Sequence, residues 1–178
     1  VCSSDLDTSV SMCAVVKGYP MVIKSSDDPE REWNIPFDTP LFHWFSTADR
    51  DHQLSDYLNK AFGINQKTAQ AAIELADAAQ HEFKNTLLRR GQTVIDEARD
   101  NDTYAIVLAS RPYHNDPLVN HHLPEMFCKL GLSVLPPDAV PGVDNVDLSK
   151  SRIDVVNNFH ARMLGSALIA ADSPHLEY

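Results

Sequence analysis

Residues 104–109, Tyr-Ala-Ile-Val-Leu-Ala, form a short unbroken apolar run between polar neighbours. Without alternation, such a run reads as a strand covered on both faces, which is the pattern of a parallel sheet. A polar loop follows, then a helix from about Asn120 to Leu130 closed by Gly131, then a second buried strand at Ser133–Leu135. Parallel neighbours need a crossover of this kind, and its sense is right-handed. The segment places the chain in the α/β class, as a mostly parallel Rossmann-like sheet flanked by helices.

The strongest helical signal lies upstream. Ala69, Ala72, Ile73, Ala76, Ala79, Phe83, Leu87, Val94, Ile95 and Ala98 recur at three- and four-residue steps behind Asn65, a suitable N-cap. An unbroken helix here would run on the order of 50 Å, with Gly91 marking a bend or close packing. Asp51 to Phe62 reads as a shorter helix ended by Gly63, and Ile153 to Ala171 as a later one with Val156, Phe159, Met163, Ala167 and Ala170 inward. Ser25 to Glu32 reads as a surface loop. Asn34 to Phe45, with Pro36 and Pro40, reads as an extended segment interrupted by turns, and Pro136 to Asp147 as a loop. Near the start, a loop or strand end at Cys13 should lead into a short helix from about Pro20, where a missing N–H costs nothing.

Twenty-five acidic against fifteen basic side chains give a net charge of -10. That excess repels phosphate backbones and argues against nucleic-acid binding. No run of about 18 apolar residues exists to span a membrane. Three cysteines, Cys2, Cys13 and Cys128, make no disulfide framework, so a reducing cytoplasm is the expected setting. Val1 to Leu6 looks like a translated sequencing adapter, which discounts Cys2. The expected organisation is thus residues 1–6 as that stretch, 7–101 as a partial first subdomain with the long connecting helix, and 102–178 as a Rossmann-like subdomain truncated at its C-terminal end.

The loop after the first strand reads Ser110-Arg-Pro-Tyr-His-Asn-Asp-Pro117 and continues to Asn120-His-His-Leu-Pro124. Open α/β sheets bind ligands outside the carboxyl ends of their strands. Arg111 offers a fork of donors for phosphate or carboxylate, while Tyr113 and His114 supply hydrogen bonds or protons. A purely structural loop is the competing reading, with Asp116 or Asn120 capping the helix and Pro117 stiffening the turn. His114, His121 and His122 do not follow a zinc spacing. Cys13 is either a thiolate ligand of an iron–sulfur cluster or a buried apolar cysteine, and Cys128, beside Phe127, belongs to the core.

Two stretches resemble a known family. Cys13-Ala-Val-Val-Lys-Gly-Tyr-Pro-Met-Val-Ile-Lys24 is similar to the Cys-Pro-Val-Val-x-Gly-Tyr-Pro-x-Val-Ile pattern of acyl-CoA dehydratase activase-related proteins. Arg111-Pro-Tyr-His-Asn-Asp-Pro-Leu-Val-Asn-His121 is similar to that family's Gly-Arg-Pro-Tyr-His-x-Asp-Pro-x-x-Asn-His-Gly motif. Ala14 stands where the family has Pro, and Ser110 and His122 stand where it has Gly. The resemblance runs through nearly all of Ser11 to Tyr178.

The resemblance implies the dehydratase-like region of a 2-hydroxyacyl-CoA dehydratase/activase system. There a [4Fe-4S] cluster receives one electron, driven by ATP hydrolysis in separate activator modules, and water leaves a 2-hydroxyacyl-CoA thioester by radical chemistry. Cys13 takes the position of a cluster and metal ligand; Arg111, Tyr113, His114 and His121 are the expected catalytic residues from their place in the loop after the strand and from their chemistry. The implied partners are an acyl-CoA-type substrate and either activator ATPase modules or a second dehydratase-like subunit. The alternatives are a scaffold domain of the same fold that has lost the cluster, or a metal hydrolase using the histidines.

Overall fold

The computed structural model describes residues 14–42, 46–149, 151 and 158–178. Two compact units divide the chain. The first comprises Val1–Ala78 with Val156–Asn158, the second Ala79–Val155 with Phe159–Tyr178.

The regular structure among the described residues of the first unit is helical. α1 spans Ala14–Ser26, α2 Pro29–Trp33, α3 Thr47–Phe62, and the opening turns of α4, Gln66–Asp100, complete it. Helix α1 already covers Ala14 to Pro20, so the short helix expected from Pro20 is longer than the sequence suggests, and Pro20 lies inside it. Ser25 to Glu32 is likewise not a loop, because α1 runs to Ser26 and Pro29 opens α2 at a first-turn position. Cys13, and the conformation expected of it, lie outside the described residues.

Capping residues set the lengths of α3 and α4. Ser46 Oγ accepts from the Asp49 N–H at 3.3 Å, and Gly63 ends α3 with φ 68°. Asn65 Oδ1 accepts from the Thr68 N–H at 3.0 Å, as an N-cap should. Between the two helices the guanidinium of buried Arg50 makes a bidentate pair with Asp77, at 2.9 and 2.6 Å. A fork–fork pair of this kind fixes geometry as well as adding energy.

The second unit holds a three-stranded parallel sheet in the order β2-β1-β3, with β1 at Ala105–Val107, β2 at Ser133–Leu135 and β3 at Leu176–Glu177. Ala105 pairs with Ser133 and with Leu176, so β1 is central. Helix α5, Leu123–Lys129, crosses from β1 to β2, and α6, Asn158–Ala171, precedes β3. Ala98, Ala105, Val107, Leu135, Val140, Val143, Ala170 and Leu176 form the core. The apolar run is less covered than expected: Ala105 and Val107 are buried, Ile106 is half-buried, and Tyr104 and Ala109 are exposed. The N-terminal part of the helix read from Ile153, including Val156, falls outside the described residues.

Gly91 is a point of close packing. A Cβ there would overlap the carbonyl oxygen of Ala139, in the 3₁₀ turn Pro137–Ala139, so α4 passes this turn backbone to backbone. Cys128 is exposed, contrary to the core position expected for it. The half-buried residues of α5 are Pro124 and Phe127, and Cys128, although one turn on from Pro124, is not covered.

Candidate functional site

Strand β1 ends at Val107, and the chain emerges at the carboxyl edge of the sheet. Arg111 has extended backbone, φ -81° and ψ 155°, and leads into a 3₁₀ turn at Pro112–Asn115. Pro112 suits that first position. The His114 N–H donates to the Arg111 carbonyl at 2.9 Å, and the Arg111 N–H donates to His114 Nδ1 at 3.3 Å. With Nδ1 accepting, the neutral His114 ring carries its hydrogen on Nε2. The Tyr113 and His114 rings meet edge to face, centroids 4.3 Å apart.

The guanidinium of Arg111 is held by two neutral groups. Nη1 donates to Tyr113 Oη at 3.4 Å, and Nη2 lies 2.9 Å from Nε2 of His160 on α6. A guanidinium can only donate, so His160 accepts at Nε2 and holds its hydrogen on Nδ1. Neither partner cancels the arginine's charge.

A cleft of about 350 Å³ adjoins this loop. Pro112 and Asn115 line it from the loop, Pro136 and Asp138 from the carboxyl end of β2, and Gln80, Phe83, Lys84 and Leu87 from α4. Asp144 and Arg162 complete the wall. Phe83, expected in the apolar stripe of the long helix, is exposed and faces this space. The cleft's ionic groups satisfy each other. Arg162 Nη1 donates to Asp138 at 2.9 Å, its Nε donates to Asp144 at 3.1 Å, and Lys84 Nζ lies 2.5 Å from the other Asp144 oxygen. Burial pushes the Asp144 carboxyl up, but the hydrogen bonds from Lys84 and Arg162 outweigh it, and the group is held below its ordinary range.

Of the residues singled out from sequence, Arg111, Tyr113 and His114 are brought together. His121 closes the segment in a left-handed conformation, φ 53°, and among the described residues no hydrogen bond joins its side chain to those three. Asp116 and Asn120 do not cap α5. They brace the loop, accepting from the N–H groups of Leu118 and His122 at 2.8 and 3.0 Å. His122 is the residue before α5, with φ 58°. That is a glycine conformation, which accounts for the Gly at this place in the motif. The imidazole is held by Glu125 at 3.3 Å.

Sequence reading missed His160, Lys84, Asp138, Asp144 and Arg162. Asp138 had a usable signal, since it follows directly on a buried strand. His160 and Arg162 sit among the apolar positions that defined their helix, and nothing local marks them. Among the described residues no group of three or more His, Cys, Asp or Glu is placed to hold a metal ion. No described helix is long and apolar enough to cross a membrane.

The described residues of the second unit thus combine helices with a three-stranded parallel sheet that carries an arginine loop and a cleft at its carboxyl edge, the place where open α/β sheets hold ligands. The chain belongs to the family described as the CoA enzyme activase uncharacterised domain, whose profile matches residues 3–140. Both motifs fall within that stretch, whereas Asp144, His160 and Arg162 follow it. No curated protein and no solved structure matches the chain.

Proposed function

We propose that this chain is the thioester-holding, dehydratase-like part of an activase-related protein that acts in ATP-driven radical dehydration of 2-hydroxyacyl-CoA, with Arg111 as the anchor for an anionic group of the CoA thioester. One observation carries the reading: a guanidinium at the carboxyl end of β1 whose two side-chain partners among the described residues, Tyr113 and His160, are neutral. Such a cation is positioned in advance and still has its charge to offer an anion. The family's description as a CoA enzyme activase domain supports a CoA thioester as the source of that anion. In this reading the Tyr113 hydroxyl and the His114 Nε2–H are donors toward the thioester oxygen, and His121 serves proton transfer from the end of the loop.

The cofactor in this proposal is a [4Fe-4S] cluster, which supplies one-electron chemistry when bound. Such clusters are commonly held by four cysteine thiolates. The described residues contain one thiol, Cys128, on an exposed helix face, and do not fit as a cluster site. Cys13 would contribute one thiolate, with the remaining donors from outside the described residues or from a second dehydratase-like subunit. ATP belongs to separate activator modules.

Equilibrium binding of CoA by titration calorimetry tests the anchor. Losing a charge-assisted hydrogen-bond donor costs about 1.5–3 kcal/mol, so Arg111→Ala should weaken CoA binding by about 10- to 100-fold. Arg111→Lys should recover only part of that, because it keeps the charge but loses the fork. Unchanged CoA affinity in Arg111→Ala would leave the scaffold reading in its place.

A further inference from the structure

We infer that the cleft beside Arg111 takes an uncharged aliphatic acyl group and discriminates against acyl groups that end in a carboxylate. The inference rests on the CoA-thioester reading for the direction from which the acyl group arrives, but its argument comes from the cleft itself.

The wall pairs apolar surface with a closed set of charges. Phe83, Leu87, Pro112 and Pro136 present carbon to the space. Lys84 and Arg162 are the cations that line it, and both are held by the carboxylates that line it, Asp138 and Asp144. Two cations and two anions leave the lining with no net charge. A ligand carboxylate would have to draw Lys84 or Arg162 away from its partner, leaving an unpaired anion next to the one arriving. An aliphatic chain asks for no such exchange and gains by covering Phe83, an aromatic ring 62% exposed. Size agrees: at about 30 Å³ per water-sized group, a cleft of about 350 Å³ has room for roughly twelve. That accommodates a short acyl chain with its thioester.

The test separates the cleft from the anchor with thioesters that carry no phosphate. Hexanoyl-pantetheine and adipoyl-pantetheine have six-carbon acyl groups and differ in the terminal carboxylate. Calorimetric titration of the full chain should show the hexanoyl compound binding about tenfold or more tightly than the adipoyl one. Phe83→Ala should weaken the hexanoyl compound severalfold. Asp144→Asn keeps the side-chain shape but releases Lys84 and leaves Arg162 held by Asp138 alone, so it should raise adipoyl affinity and narrow the gap; circular dichroism confirms that each variant is folded. Equal or reversed preference, no effect of Phe83→Ala, or no binding of either pantetheine compound overturns the inference. CoA titrated in parallel keeps the failures apart. CoA binding that depends on Arg111, without acyl preference, leaves the anchor standing and sinks the cleft assignment. Hexanoyl-pantetheine preference without CoA binding does the reverse.

Discussion

Replacing Gly91 by Ala probes the packing that builds one wall of the cleft. The new methyl carbon would overlap the Ala139 carbonyl oxygen, with the Ala139 carbonyl carbon 2.8 Å and its Cβ 3.4 Å away. Rotamer changes cannot relieve this, because both sides of the contact are backbone. Ala139 sits in a turn whose neighbours Pro137 and Val140 are fully buried. Overpacking typically costs about 1–3 kcal/mol, and a rigid clash belongs at the upper end. Alanine's better helix propensity returns about 1 kcal/mol. The net loss is about 2 kcal/mol, or a fall in thermal midpoint of about 4–8 °C for a chain of this size. Gly18 is the control, since it lies in α1 with nothing within 4 Å of an added Cβ. Gly18→Ala should hold or raise the midpoint by up to about 1 kcal/mol equivalent. Thermal melts followed by circular dichroism give both numbers. A Gly91→Ala midpoint equal to or above wild type would refute the backbone contact.

Arg50→Ala removes one side of the bidentate pair with Asp77, whose own side chain is 46% exposed, and should cost about 1–3 kcal/mol in urea unfolding. His122→Gly relieves a left-handed residue, worth about 1–2 kcal/mol, against a glycine entropy cost of about 0.5–1 kcal/mol, so the midpoint should rise slightly. Asp144 has a folded-state carboxyl held below its unfolded value, so its contribution is present above about pH 4 and is lost as pH falls through the folded value. Asp144→Asn should therefore flatten the loss of midpoint between about pH 5 and pH 3, and an unchanged slope would show the carboxylate to be uncoupled from folding.

Periodicity and chain punctuation carried much of the fold. Ser133–Leu135 was legible as a strand because it is apolar and flanked by Gly131 and Pro136, and the long helix because its stripe repeats over many turns behind the Asn65 cap. The full span of α1 was not legible, since Gly18 and Pro20 are breakers by local rule and only the surrounding structure overrides that rule. β3 is two residues long and becomes a strand only by pairing with β1, which no local pattern reports. The site shows the same division. The Arg111 loop could be found because it follows a strand. Its partner His160 lies 49 residues away in sequence, and Arg162 lies 24 from Asp138, so the charge balance of the cleft exists only after folding. Cys128 shows where composition misleads: a cysteine beside Phe127 reads as core, but α5 is seven residues long, none of them is buried, and only Pro124 and Phe127 are half-buried.

The role proposed for Arg111 is to dock an anion at the carboxyl edge of β1. Titrating CoA while following the arginine Nε–H and histidine ring signals by nuclear magnetic resonance tests it at the atoms concerned. Arg111 and His160 should shift together and saturably, the His52 ring on α3 should stay still, and all of these shifts should vanish in Arg111→Ala. Shifts centred on His52, or a response of His160 that survives Arg111→Ala, would contradict it.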